Sequence, residues 1–344
     1  MHDSLEQFCA FVASASGAAT VTQVAAPAIL SGGAIQENWG VTLDITGGLH
    51  AGRHDVVVRM DAPSAVAASH SRIQEFALLR VAFDAGVTVP EPLWSCTDDS
   101  VLGRPFFVMR RVAGIAAGHR LVRMARTPKE ARELVIDVAT QLARIHTICP
   151  PEARLDFLDI PEEPPALAAV RTYRQALDVL DVARPGLEWA LRWAEVSAPP
   201  AGDLALCHHD FRIGNLMVAD HQLTGVLDWE FAAWSDPMSD VGYLCAHCWR
   251  FGRDDHPVGG IGERDDFYNA YEAASGRTID PARVRYWEVM AHVRWAVIAL
   301  EQADRHLSGR ETNLELALTG HVASEVAFEA VLMTGPSAWP VAAP

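Results

Sequence analysis

Two carboxylates and a carboxamide stand at spacings that suit phosphoryl transfer. In Cys207-His208-His209-Asp210-Phe211-Arg212-Ile213-Gly214-Asn215-Leu216-Met217-Val218, Asp210 precedes Asn215 by five positions, and Gly225-Val226-Leu227-Asp228-Trp229-Glu230 follows. Transfer to a hydroxyl needs a group that orients the acceptor and takes its proton. It also needs hard oxygen ligands for the divalent cation that bridges the phosphates. Asp210 suits the first task, and Asn215 and Asp228 the second. As ordinary loop residues, Asp210 and Asn215 would form an Asx turn and Asp228 would cap a helix. That reading has no use for their common spacing.

The elements that must position these groups are legible too. Residues 204–227 read as short strands about a turn at Asp220-His221-Gln222, with Asp210 and Asn215 on the loop entering one strand and Asp228 at the end of its partner. A hairpin returns the second strand beside the first, so the three side chains are expected to converge. Upstream, Val41–Ile45 and Asp55–Met60 read as strands about a Gly/His-rich turn, Ser69–Ala85 as a helix and Phe106–Met109 as a strand. After Gly114 the pattern becomes helical. Thr127-Pro128-Lys129-Glu130 is a capping box with proline in the first turn, opening a helix to about His146. Residues 161–165 read as a loop, Leu187, Ala190, Leu191 and Ala194 as one face of a helix, and 240–252, 265–275, 281–307 and 312–333 as helices.

Bulk properties narrow the classes. With 344 residues, half of them hydrophobic, the chain can bury a large core as a two-lobed unit or two domains. A net charge of −16 argues against nucleic acid as a partner, since phosphate backbones need clustered Lys and Arg. It fits a cationic substrate, and equally plain solubility. No apolar run reads as a membrane span, the first residues do not read as a signal peptide, and six scattered cysteines suit reduced thiols. The expectation is a cytoplasmic chain with neither membrane nor nucleic acid as partner. Oligomeric state is not legible.

His208-His209-Asp210 with Asn215 and the later Asp228 matches the H-x-D-x-x-x-x-N plus downstream Asp of the kinase superfamily. Within it the chain resembles the aminoglycoside phosphotransferase and choline kinase-like family, whose loop often reads H-G-D-x-x-x-x-N and whose later motif reads I/L-D-W/x-E. His209 departs from the usual small residue. Trp234-Ser235-Asp236-Pro237-Met238-Ser239-Asp240 resembles the family's G-D-P-x-x-D, with Ser235 replacing Gly. The resemblance implies an α+β, bilobal protein-kinase-like fold: a small β-rich, nucleotide-binding lobe over 1–112 and a larger helical lobe over 113–344 that carries the catalytic loop and acceptor site. It implies Mg2+ and ATP, with GTP as an alternative donor, and a small hydroxylated acceptor. Asp210 would be catalytic, Asn215 and Asp228 metal ligands, and His208, Glu230, Asp236 and Asp240 structural supports.

Other segments agree with it. Val57-Val58-Arg59 resembles a branch similar to the kinase-like N-terminal part of some acyl-CoA dehydrogenases, with Arg59 where most kinases carry Lys. Arg59 would offset phosphate charge and Glu75 would hold it in place. Gly32 and Gly33 with Gln36, Glu37 and Asn38 resemble the nucleotide loop. Met109–Gly114 resembles the hinge that bonds adenine through the backbone near Arg111 and Val112. Cys245-Ala246-His247-Cys248 lacks the second pair of a zinc site and reads as a buried helical pair. Arg285, His292 and Arg294 could reach a substrate cleft but read rather as a solvated or packed face. Two other functions compete: a nucleotide-binding pseudokinase-type regulatory module, and a metal-dependent hydrolase using the two loop histidines.

Overall fold

The computed structural model describes residues 4–30, 36–61 and 69–335. Gly32 and Gly33, expected in the nucleotide loop, lie outside them. In chain order the first elements are α1 (Leu5–Ser16), β1 (Thr20–Gln23), β2 (Ala28–Ile29), β3 (Gln36–Thr46), β4 (Gly52–Asp61), α2 (Arg72–Asp84), β5 (Pro92–Cys96), α3 (Asp99–Leu102) and β6 (Phe106–Arg110). Then come α4 (Gly118–Leu121), α5 (Pro128–Ile145), α6 (Pro165–Val179), α7 (Pro185–Val196), β7 (Ala205–Cys207), β8 (Leu216–Ala219), β9 (Gln222–Val226) and β10 (Ala233–Ser235). The last helices are α8 (Met238–Cys245), α9 (Arg264–Ser275), α10 (Pro281–Leu307) and α11 (Leu314–Met333).

The chain divides into two compact units. One comprises Met1–Ile115, Pro151–Phe157 and Met217–Phe231; the other comprises Ala116–Pro150, Leu158–Leu216 and Ala232–Pro344. The first is built on an antiparallel sheet of order β1-β3-β4-β6-β5, with β2 also on β3. Alternation along β4 decides what each face does. Val56, Val58 and Met60 pack on the α1 side with Phe8, Val12 and Phe106. Arg59, of opposite parity, pairs in register with Asn38 of β3 and Phe107 of β6, and Phe107 meets Phe76 of α2. A charged side chain is thereby carried on the face that meets α2. That helix begins at Arg72 rather than Ser69, because Ser71 accepts from the Gln74 amide and Gln74 returns a bond to Ser71, a capping box.

The expected boundary at 112/113 leaves the β8–β9 hairpin with the helical part, whereas its backbone joins most of it to the β-rich unit. Ile115 and Val218 exchange amide–carbonyl bonds of 3.0 Å, Val226 N–H donates to Thr88 O at 2.9 Å, and Thr224 Oγ1 donates to Ala113 O at 2.6 Å. Gly114 permits the approach: its φ is +130° and a Cβ there would lie 2.6 Å from Val218 O. The tip of the hairpin is the expected Asp220-His221, both with positive φ (48° and 65°), as a two-residue primed turn requires.

The helical unit centres on α10, with α11 along its length and α8 against it. Glycines set the spacing: a Cβ on Gly242 would lie 2.5 Å from that of Trp287, and one on Gly320 2.5 Å from that of Ala303. The stretch expected as one helix over 240–252 stops at Cys245 and continues as a 3₁₀ turn, His247–Trp249, so the two cysteines are not a helical pair. The sequence pattern does not mark out α6. No apolar run in it reads as a membrane span, whereas α11 is long and apolar enough by length and composition. In the structure α11 turns Leu316, Ala323, Val326 and Ala330 inward.

Candidate active site

The loop 208–215 lies in the helical unit, between β7 and a 3₁₀ turn at Ile213–Asn215. Its entry is fixed by Asp240, wholly buried in the first turn of α8. That carboxylate accepts the amides of His208 (2.6 Å) and His209 (2.8 Å) and faces His146 Nε2 at 3.3 Å. Burial opposes its ionisation, yet the hydrogen bond and charge of His146 carry its pKa below the usual carboxylate range. Asp236 braces the same region, accepting from the Met238 amide (3.0 Å), Trp287 Nε1 (2.7 Å) and Arg283 Nε (2.6 Å). His208 is buried, and its Nδ1 accepts from the Asp210 amide at 3.2 Å.

Asp210 is gripped on both oxygens: Arg212 Nε donates to Oδ1 at 3.1 Å and Asn215 Nδ2 to Oδ2 at 2.5 Å. Asn215 Nδ2 also donates to Asp210 O at 2.9 Å. With its amide nitrogen so used, Asn215 offers a cation its carboxamide oxygen, a donor type that suits magnesium. The Arg212 guanidinium sits 4.9 Å from the centre of the Trp249 ring. A Cβ at Gly214 would oblige the Arg212 guanidinium to shift.

His209 has φ of +61°, a backbone state that glycine adopts freely and histidine does not. Its ring lines a recess of about 30 Å3 with Tyr173, Asp240, Tyr243, Trp287, Met290 and Arg294. Nε2 of His209 is buried without a hydrogen-bond partner. Burial, with the Arg294 charge as a second cause, lowers its pKa to about 4, so the ring is neutral at pH 7. The Arg294 guanidinium lies 5.3 Å from the Tyr243 ring centre.

The other expected residues belong to the β-rich unit. Arg59 binds Glu75 through Nε and Nη2, and Nη2 also reaches Asp228 Oδ1 at 2.7 Å. Asp228, at φ +62°, keeps a partly exposed carboxylate whose hard oxygens fit magnesium. Arg72 also meets Glu75, and it pairs with Asp61 at 2.8 Å and approaches Glu230 at 3.8 Å. Glu230 is buried, and burial pushes its pKa up to about 7 against the opposing pull of Arg59. Of the expected adenine-binding residues, Arg111 already spends its amide on Asp55 O at 2.9 Å, and Val112 is half-buried. The hinge amide of Arg111 is therefore not available to a base.

Sequence reasoning passed over Arg72 and Arg212, and read Arg294 as part of a packed or solvated face rather than of a substrate cleft. Arg72 is three residues before Glu75 on one helix face, a spacing that brings side chains together. Arg212 sits inside the loop motif. Arg294 had no local signal beyond its charge.

The sheet-based unit, the helical unit and the braced His-x-Asp loop define a kinase-like fold of the phosphotransferase type. The model of the phosphotransferase enzyme family matches residues 28–287, and the chain belongs to that family. A solved aminoglycoside phosphotransferase-like protein of Ralstonia eutropha JMP134 is similar, with a TM-score of 0.75 at 19% identity over 96% of this chain and 98% of its own. Among curated relatives, Mus musculus acyl-CoA dehydrogenase family member 10 is 28% identical over 204 residues, covering 57% of this chain and 18% of that protein. Gallus gallus acyl-CoA dehydrogenase family member 11 is 31% identical over 187 residues, 51% of this chain and 23% of that protein. The region matched is thus about a fifth of the length of these relatives.

Proposed function

We propose that the chain transfers the γ-phosphoryl group of ATP, with magnesium, to a hydroxyl of a small molecule. The observation that carries this reading is Asp210: a carboxylate held on both oxygens by Arg212 and Asn215, in a loop braced by Asp240. In this reading Asp210 orients the acceptor hydroxyl and takes its proton. Asn215 and Asp228 supply oxygen ligands to magnesium, which when bound offsets the charge of the phosphates. Arg59, kept in place by Glu75, adds a fixed positive charge.

The recess beside His209 is read as the acceptor site. Its neutral imidazole and aromatic walls suit the apolar face of a hydroxyl compound, while Arg294 and Asp240 present one charge of each sign. Transfer of label from γ-labelled ATP across hydroxy acids, neutral alcohols and aminoglycosides tests this. The Asp210→Asn variant should lose transfer by about 100-fold or more while still binding magnesium–nucleotide. Full activity in that variant would overturn the assignment of the base, and transfer to none of these hydroxyl compounds would overturn the reaction.

A further inference from the structure

In the helical unit, apart from the loop at 208–215, His247 of the 3₁₀ turn, His292 of α10 and Glu329 of α11 bring one ligand atom each within 4.8 Å of one another. The outer side of each imidazole is committed. His292 Nδ1 lies 2.7 Å from Glu288 O, and a carbonyl can only accept, so Nδ1 carries the proton and Nε2 the lone pair. His247 Nε2 lies 2.8 Å from Asp254 Oδ1, and a carboxylate can only accept, so Nε2 carries a proton. The remaining nitrogens both aim at Glu329: His247 Nδ1 is 2.8 Å from Oε1, and His292 Nε2 is 3.1 Å from Oε2. His292 is wholly buried, and neither its Nε2 nor Glu329 Oε2 makes a hydrogen bond.

Two imidazole nitrogens thus converge on the two oxygens of one carboxylate, and on the His292 side both facing atoms are buried without a hydrogen bond. A single divalent cation satisfies all three groups at once. We propose that His247, His292 and Glu329 form a site for a divalent transition metal, zinc foremost, which ties α11 to α10 and to the turn after α8. Two imidazoles and one carboxylate are a zinc donor set that leaves a fourth position to water, and Asp254 and the Glu288 carbonyl are the outer partners that orient such ligands. Cys245 and Cys248, which flank His247, are not part of the set. The inference is independent of the phosphotransfer reading.

The test uses the full chain stripped with a chelator, without nucleotide or magnesium, titrated with zinc chloride by calorimetry and checked by elemental analysis and thermal unfolding. One equivalent of zinc with a raised Tm is expected. His247→Ala, at a half-exposed position that the fold can spare, and the near-isosteric Glu329→Gln should each weaken binding at least about 10-fold, the loss that even outer partners cause. Zinc uptake undiminished in both variants, or no stoichiometric uptake by the parent chain, would overturn the site.

Discussion

Arg59 reaches both oxygens of Glu75, through Nε and Nη2 at 3.0 Å each, with both residues buried. Arg72, also buried, holds the same carboxylate. Removing it takes from two buried guanidinium groups the carboxylate they share, leaving Asp228 and Asp61 as their near partners, so the cost is expected at or below the low end of the about 3–5 kcal/mol of a broken buried pair. Glu75→Ala is expected to lower the urea midpoint accordingly. Chemical denaturation followed by circular dichroism measures it, and a loss below 1 kcal/mol would mean that water already reaches this network.

Arg212 positions Asp210 without being asked to touch the phosphates. Arg212→Ala should therefore lower kcat roughly 100-fold, the scale of a small misplacement at the reacting group, while KM for nucleotide stays put. Arg212→Lys keeps the charge but not the planar donor at Nε, so it should recover only part of the rate. Steady-state kinetics separates the outcomes; an effect confined to nucleotide KM contradicts the assignment.

His209 titrates low because its ring is buried. Its folded pKa of about 4 lies below the ordinary 6.5, so between these values the unfolded chain binds the extra proton. Stability should rise with pH from about 4 to about 6.5, with His209 contributing up to about 3 kcal/mol of the change and nothing further above that window. His209→Gly should flatten that slope and also relieve the positive φ. Urea midpoints at a series of pH values decide it: an unchanged slope would show that other groups carry the dependence.

Gly242 lets α8 lie against α10. A methyl group there would meet Trp287 Cβ at 2.5 Å and its backbone carbon at 2.8 Å, and backbone cannot step aside. Gly242→Ala is expected to cost about 1–3 kcal/mol through overpacking, despite the better helix propensity of alanine. A Tm equal to or above that of the parent chain would contradict so close a contact.

The loop motif, the hairpin turn at Asp220-His221 and the caps of α5 were legible because each depends on residues close in sequence, whereas the partnership of Arg59 with Glu75 was implied by the family resemblance. The course of residues 245–249 was not, since an apolar run continues past Cys245 while the backbone leaves the helix. The unit to which the β8–β9 hairpin belongs was also hidden, because backbone bonds to Ala113 and Ile115 leave no trace in side-chain pattern. The spent amide of Arg111 was hidden for the same reason. Arg294 and the cluster at His247, His292 and Glu329 arise from the packing of distant helices, which spacing along one segment cannot foretell.

The braces of the loop and the walls of the recess share helices. Asp240 of α8 holds the amides of His208 and His209 and also lines the recess, and Trp287 of α10 donates to Asp236 while facing the same space. A substitution on α8 or α10 that reshapes the recess therefore also loads the frame of the loop, whereas Tyr173 of α6 is a wall apart from those braces.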